Sequence, residues 1–168
     1  GDHDTHWALA SCYSNLGKFD HALEHYERAL EINGNDADLH AEMADLLSYI
    51  GKHHEAIGQI RFAMRINPYF PEWYRWTLGW CYYFIEEYKE AIAELGKLLN
   101  PSEDALLILA ASHARLAAAG EEVDANQRTA LAYMDAFKKR RPSWTMRDQE
   151  EVSGYRRPAD TSHWLEGL

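Results

Sequence analysis

With 168 residues, 46% of them hydrophobic and 26% charged, the chain has the size and balance of one folded domain. A formal net charge of −10 opposes nucleic acid and anionic membrane surfaces as partners, and no run approaches the ~20 apolar residues of a membrane span. Two cysteines are too few for a disulfide scaffold, and no secretory leader is visible, so a reducing cytoplasm is the expected setting. The opening Gly1-Asp2-His3-Asp4, without Met, reads as the start of an excised fragment.

In chain order, the first predicted element is a helical hairpin over about residues 3–36, carrying Leu9-Ala10, Tyr13, Gly17, Phe19, Ala22, Tyr26 and Ala29. The second, over 37–70, repeats it 34 residues on: Ala10 to Ala44, Gly17 to Gly51, Ala22 to Ala56. The third, over 71–101, follows at 35, with Gly79, Tyr82 and Ala91. Within each copy the two small residues lie 12 apart (10 to 22, 44 to 56, 79 to 91). Pro101 follows Ala91 by only 10, which predicts a third hairpin short by about half a turn. The fourth, over 102–141, places Ala110, Ala130, Phe137 and Pro142 in comparable positions. Ala110 to Ala130 is 20 instead of 12, so eight extra residues are expected in a loop at Gly120-Glu121-Glu122-Val123-Asp124. A capping tail over 142–168 contains Trp144 and closes in a short helix from Thr161 through Trp164 to Leu168.

The order small, large, aromatic, small at this period resembles the tetratricopeptide repeat. That resemblance implies an all-α fold, a right-handed superhelix of antiparallel helix hairpins with a C-terminal capping segment. The physics agrees, since neither helix of a hairpin buries its apolar stripe alone. Ala10, Ala44 and Gly79 sit where helices cross closely, opposite Ala22, Ala56 and Ala91. Gly17 and Gly51 suit left-handed helix caps, and Pro68 stops a helix.

Several constellations invite chemistry. His21-Ala22-Leu23-Glu24-His25 matches a zinc-peptidase motif, yet Ala22 is a repeat position and no third ligand accompanies it. Cys12 and Cys81 share one place in copies one and three, and are expected to be small buried thiols too far apart to bridge. Lys138, Lys139, Arg140 and Arg141 are expected to cap the negative end of a helix. No nucleotide loop, nucleophile elbow or carboxylate pair is evident. Neither catalysis nor a cofactor is expected.

In the family that the repeats resemble, first helices line a concave groove. The matching positions are Asp4, Trp7, Ser11 and Ser14 in copy one, and Asp38, Ala41, Asp45 and Ser48 in copy two. In copy three, Trp73, Trp76, Trp80 and Tyr83 form one stripe at steps of 3, 4 and 3. The candidate groove is therefore Trp7, Asp38, Asp45, Trp73, Trp76, Trp80 and Tyr83. Family members that grip C-terminal carboxylates use Lys, Arg and Asn where Asp38, Glu42 and Asp45 stand here. The expected partner is a protein or peptide segment with apolar and basic character. Two alternatives stay open at this level: the tail, through Trp144 and Trp164, folds over the stripe, or apolar surfaces pair two chains as a homodimer.

Finally, Ile66-Asn67-Pro68-Tyr69-Phe70-Pro71-Glu72-Trp73-Tyr74-Arg75-Trp76-Thr77-Leu78-Gly79, with Tyr155-Arg156-Arg157-Pro158-Ala159-Asp160 and Trp164-Leu165-Glu166-Gly167-Leu168, is similar to bacterial repeat modules. Such modules lie C-terminal to class III adenylate/guanylate cyclase or DNA-binding regulator domains. The similarity implies a docking or dimerising arm of a signalling protein.

Overall fold

The structure, a computed structural model, describes residues 2–145 together with Ser162 and His163. Eight helices make up the described residues: α1 (His3–Asn15), α2 (Phe19–Ile32), α3 (Ala37–Tyr49), α4 (His53–Ile66), α5 (Glu72–Phe84), α6 (Tyr88–Leu95), α7 (Glu103–Ala118) and α8 (Val123–Arg140). They pair as four antiparallel hairpins, each stacked on the one before. Asp2, Asp36 and Ser102 cap α1, α3 and α7 by accepting from the amides of Thr5, Leu39 and Ala105.

Every hairpin turns through the same hydrogen-bonded cap. The Gly17 and Lys18 amides donate to the carbonyls of Ser14 and Tyr13; Gly51 and Lys52 do so to Ser48 and Leu47. Glu86 and Glu87 repeat it on Tyr83 and Tyr82, as do Gly120 and Glu121 on Ala117 and Leu116. The motif needs a left-handed residue at its centre. Gly17, Gly51 and Gly120 provide φ of +68°, +78° and +84°, whereas the third hairpin forces Glu86 to +65°.

Small residues set how closely the helices pack. Ala10, Ala22, Ala44, Ala56 and Ala91 are fully buried. A Cβ built on Gly79 would stand 2.5 Å from Leu95 Cγ, so this crossing has no room even for alanine.

The turn register corrects the reading of the fourth hairpin. Glu86 to Gly120 is 34 residues, so the equivalents of Gly79 and Ala91 are His113 and Ala125, still 12 apart. No loop is inserted: α7 ends at Ala118 and α8 begins at Val123. The expected spacing failed because His113, hydrogen-bonded through Nδ1 to Asn126 Oδ1 at 2.7 Å, replaces the small residue. The extra length lies in the helices, of 16 and 18 residues. The third hairpin departs further than half a turn, since α6 has 8 residues against 14 in α2 and in α4. Beyond Gly96 the chain leaves the helix, and the Leu99 amide donates to Glu72 at 2.9 Å.

The outer face of α1 is open. Leu9, Cys12 and Leu16 are exposed, although their equivalents Met43, Leu46 and Ile50 on α3, and Leu78, Cys81 and Ile85 on α5, pack into the core. Burial of both thiols is thus corrected for Cys12; Cys81 is buried, which pushes its thiol pKa well up. At the other end, Lys138, Lys139 and Arg140 occupy the last turn of α8, and Arg140 and Arg141 reach back to the Pro101 carbonyl at 2.7 Å and to Glu103 at 3.1 Å. Trp144 packs edge-on against Phe137, with ring centroids 5.0 Å apart. Trp164, the Tyr155–Asp160 segment and the closing helix lie outside the described residues, apart from the helical Ser162 and His163.

Candidate functional site

The first helices of the hairpins form the wall of a trough holding two adjoining cavities. One, of about 410 Å³, lies between α3, α5 and the start of α7, lined by Asp45, Ser48, Tyr49, Glu72, Trp73, Trp76, Thr77, Trp80, Leu98, Asn100, Ser102 and Asp104. The other, of about 730 Å³, lies toward α1 and α2, lined by Ser11, Ser14, Asn15, Phe19, Tyr26, Glu42 and Leu46. Asp45, Tyr49, Trp73 and Trp76 border both.

The aromatic stripe divides along its length. Trp73 is 37% exposed, Trp76 and Trp80 are half-buried, and the latter two rings meet at 5.1 Å and 52°. Ala41, the α3 equivalent of Trp76, is fully buried and small, so α3 presents no bulk in front of the indoles. Tyr83 corrects the expectation. It is fully buried against Phe84 and Tyr88, and His163 covers it with its ring at 5.1 Å while its carbonyl accepts from the Tyr83 hydroxyl at 3.4 Å. The stripe is therefore open at its N-terminal end and closed at its C-terminal end. Trp144 takes no part in the closure, being packed on Phe137.

The acidic residues expected in the groove have three different fates. Glu42 Oε2 accepts from Trp7 Nε1 at 2.7 Å, Tyr26 Oη at 3.0 Å and Ser11 Oγ at 3.1 Å, tying α1, α2 and α3 together. Trp7 thus serves as a brace on the wall and borders neither cavity. Asp38 accepts from Tyr74 Oη at 2.6 Å, bridging α3 to α5, and also lies outside the cavities. Glu42 lines the second cavity with its Oε2 taken by those three donors, whereas Asp45 borders both cavities, and among the described residues its carboxylate has no hydrogen-bond or ion-pair partner. Burial, and then the neighbouring Glu42 charge, raises its pKa from the ordinary 3.8 to about 6. Burial likewise raises the pKa of Asp104, with Glu103 adding to it, and that of Tyr49, with Asp45 and Asp104 adding to it.

Tyr49, Leu98, Asn100 and Asp104 escaped the sequence reading. Tyr49 follows Asp45 by four and so shares its helix face, a legible signal. The other three depend on the early end of α6. His21 and His25 do not converge on a metal site: His25 Nδ1 lies 2.9 Å from His6 Nδ1, and Tyr13 stacks on its ring at 5.4 Å. Among the described residues no three His, Cys, Asp or Glu side chains are placed to hold a metal ion, and no helix is long and apolar enough to cross a membrane.

Stacked two-helix units with crossing alanines, repeated turn caps and a trough along the first helices define a tetratricopeptide-type helical repeat fold. The chain carries tetratricopeptide repeats, matched by family models over residues 8–36 and 25–58. It is 33% identical over 112 residues to small glutamine-rich tetratricopeptide repeat-containing protein 2 of Mycosarcoma maydis. That match covers 65% of this chain and 31% of the relative, so the chain spans about a third of that protein's length. The crystal structure of MamA protein superposes with a TM-score of 0.72, at 18% identity, over 98% of this chain and 91% of that one. A second MamA crystal structure gives 0.59, at 16% identity, over 95% and 91%. At these identities the likeness concerns fold alone.

Proposed function

We propose that the chain is a protein-docking module that takes an extended or helical partner segment into the trough across α1, α3, α5 and the start of α7. Repeat solenoids of this kind use such concave walls for binding. The observation that carries the reading is the open trough itself, with Trp73, Trp76 and Trp80 accessible in it. Indoles supply large contact areas at small cost in side-chain entropy, as binding hot spots require. The bordering acids Asp45, Glu72 and Asp104, with no lysine or arginine among the residues lining the cavities, favour a partner of apolar and basic character. In a longer signalling or regulatory protein, such a module would be the arm that recruits the partner.

The test is selection of peptides on the immobilised module from a displayed library, followed by calorimetric titration. Trp76→Ala with Trp80→Ala is expected to weaken the selected peptides by about 100-fold or more, the scale of two hot-spot truncations, with helicity retained. Unchanged affinity overturns the reading, and loss of helicity shows the indoles to be core.

The exposed Leu9, Cys12 and Leu16 on α1 favour a second reading, self-association through the end of the stack. Light scattering over a range of concentrations decides it, and a monomer at every concentration excludes it.

A further inference from the structure

We infer that the junction of the two cavities is a subsite for one arginine side chain of the partner, with Asp45 as its carboxylate and the Trp73 and Trp76 indoles as its stacking surface. This rests on the docking reading and names the anchor that the trough would recognise.

The acids of α3 differ in how they are satisfied. Glu42 is satisfied by three donors and Asp38 by a tyrosine hydroxyl, while the Asp45 carboxylate meets no donor from any described residue. An ionised carboxylate half-withdrawn from water beside another acid is costly unless a cation or hydrogen bonds compensate. Nothing lining either cavity offers a positive charge; the opposite rim adds Asp104, which also has no hydrogen-bond or ion-pair partner among the described residues. The missing cation has to come from outside.

The aromatic lining decides what kind of cation. Indole faces attract cations, and a planar guanidinium both stacks on them and meets a carboxylate through two parallel N–H donors, which a lysine ammonium does not. The same fold already holds one guanidinium this way. Arg75 lies over the Phe70 ring at 4.9 Å and donates to Glu94 at 2.7 Å. At the cavity junction the ring and the acid are both present, and the cavity of about 410 Å³ lies within the usual range for side-chain and small-ligand pockets, ~300–1,000 Å³.

The test is an NMR titration of the 15N-labelled protein, followed at the tryptophan indole N–H signals, with N-acetylarginine amide, the isosteric neutral N-acetylcitrulline amide and N-acetyllysine amide. The arginine derivative is expected to shift the Trp73 and Trp76 signals with millimolar affinity, and the lysine derivative more weakly. The citrulline derivative should bind at least about tenfold more weakly, as loss of a charge-assisted pair implies. Asp45→Asn should remove that preference while the rest of the spectrum stays in place. Equal response to arginine and citrulline, equal response of the Asn variant, or no response up to about 50 mM overturns the assignment. The two levels separate cleanly. Library peptides that bind the trough without any preference for arginine over citrulline sink the subsite and leave docking intact. Arginine amide binding at Asp45 with no peptide captured by the trough leaves the subsite and sinks docking.

Discussion

Asp45→Asn tests the electrostatics of the trough without any ligand. Folding moves the carboxyl pKa from an ordinary 3.8 to about 6, because burial and the Glu42 charge disfavour the ionised form. The folded-state value is the higher one, so ionisation costs more in the folded chain. The penalty is absent below about pH 3.8, grows as the pH rises, and is complete above about pH 6. At roughly 1.4 kcal/mol per pH unit the full gap gives a ceiling of about 3 kcal/mol, and relaxation of an open, partly wet site reduces it to about 1–3 kcal/mol. Asparagine is neutral throughout and escapes the penalty. Thermal melts followed by circular dichroism should therefore show the variant more stable by roughly 3–8 °C at pH 7.5, with the difference closing toward pH 4. The pH dependence is the diagnostic part, since a packing change from the substitution would be the same at every pH. A constant difference between pH 4 and 7.5, or a variant less stable at pH 7.5, refutes the reasoning.

Five further substitutions test the frame. Glu86→Gly relieves a left-handed glutamate at φ +65° and should stabilise by up to about 1 kcal/mol after the entropy of the added glycine, whereas Gly17→Ala at φ +68° should destabilise by about 1 kcal/mol; urea melts compare them. Gly79→Ala, which would place its Cβ 2.5 Å from Leu95 Cγ, should cost about 1–3 kcal/mol by the same assay. Glu42→Ala strands the Trp7, Ser11 and Tyr26 donors and should cost about 2–4 kcal/mol, with Glu42→Gln recovering much of it because it keeps an acceptor.

The repeat was legible because its physical requirements are local. A crossing needs a small residue, a turn needs a left-handed one, and these recur at a fixed period in the first three copies. The fourth copy hid the same period because His113 and Ala125 stand where the eye seeks two small residues, and a histidine that bonds Asn126 can fill a crossing as well as alanine can. The site was half legible. Helical spacing put Trp73, Trp76, Trp80 and Asp45 on one trough, and all four line the first cavity, but spacing carries no information on what a side chain bonds. Glu42 and Asp38 read as groove acids, yet both are consumed by hydroxyls and an indole from neighbouring helices. Tyr83 continued the stripe in register, and its burial against Phe84 and Tyr88 and under His163, 80 residues away in sequence, removes it from the trough.

The cavity beside Trp76 and Trp80 lies where the repeat is least regular, and the two facts have one cause. In the first two hairpins the second helix has 14 residues and the next hairpin follows at once. In the third, α6 stops after 8, so the residues that would have formed its last turns instead run as open chain from Gly96 to Ser102. Meanwhile α7 begins at Glu103, three residues ahead of the position set by α5 and the 34-residue period (72 to 106). The extended segment delivers Leu98 and Asn100 to the cavity, and the extra first turn of α7 delivers Asp104 opposite Asp45. A regular third repeat would have kept the last turns of α6 helical and begun α7 beyond Asp104. The shortening of the third hairpin is thus what supplies the wall of the cavity that faces the indoles across from α3.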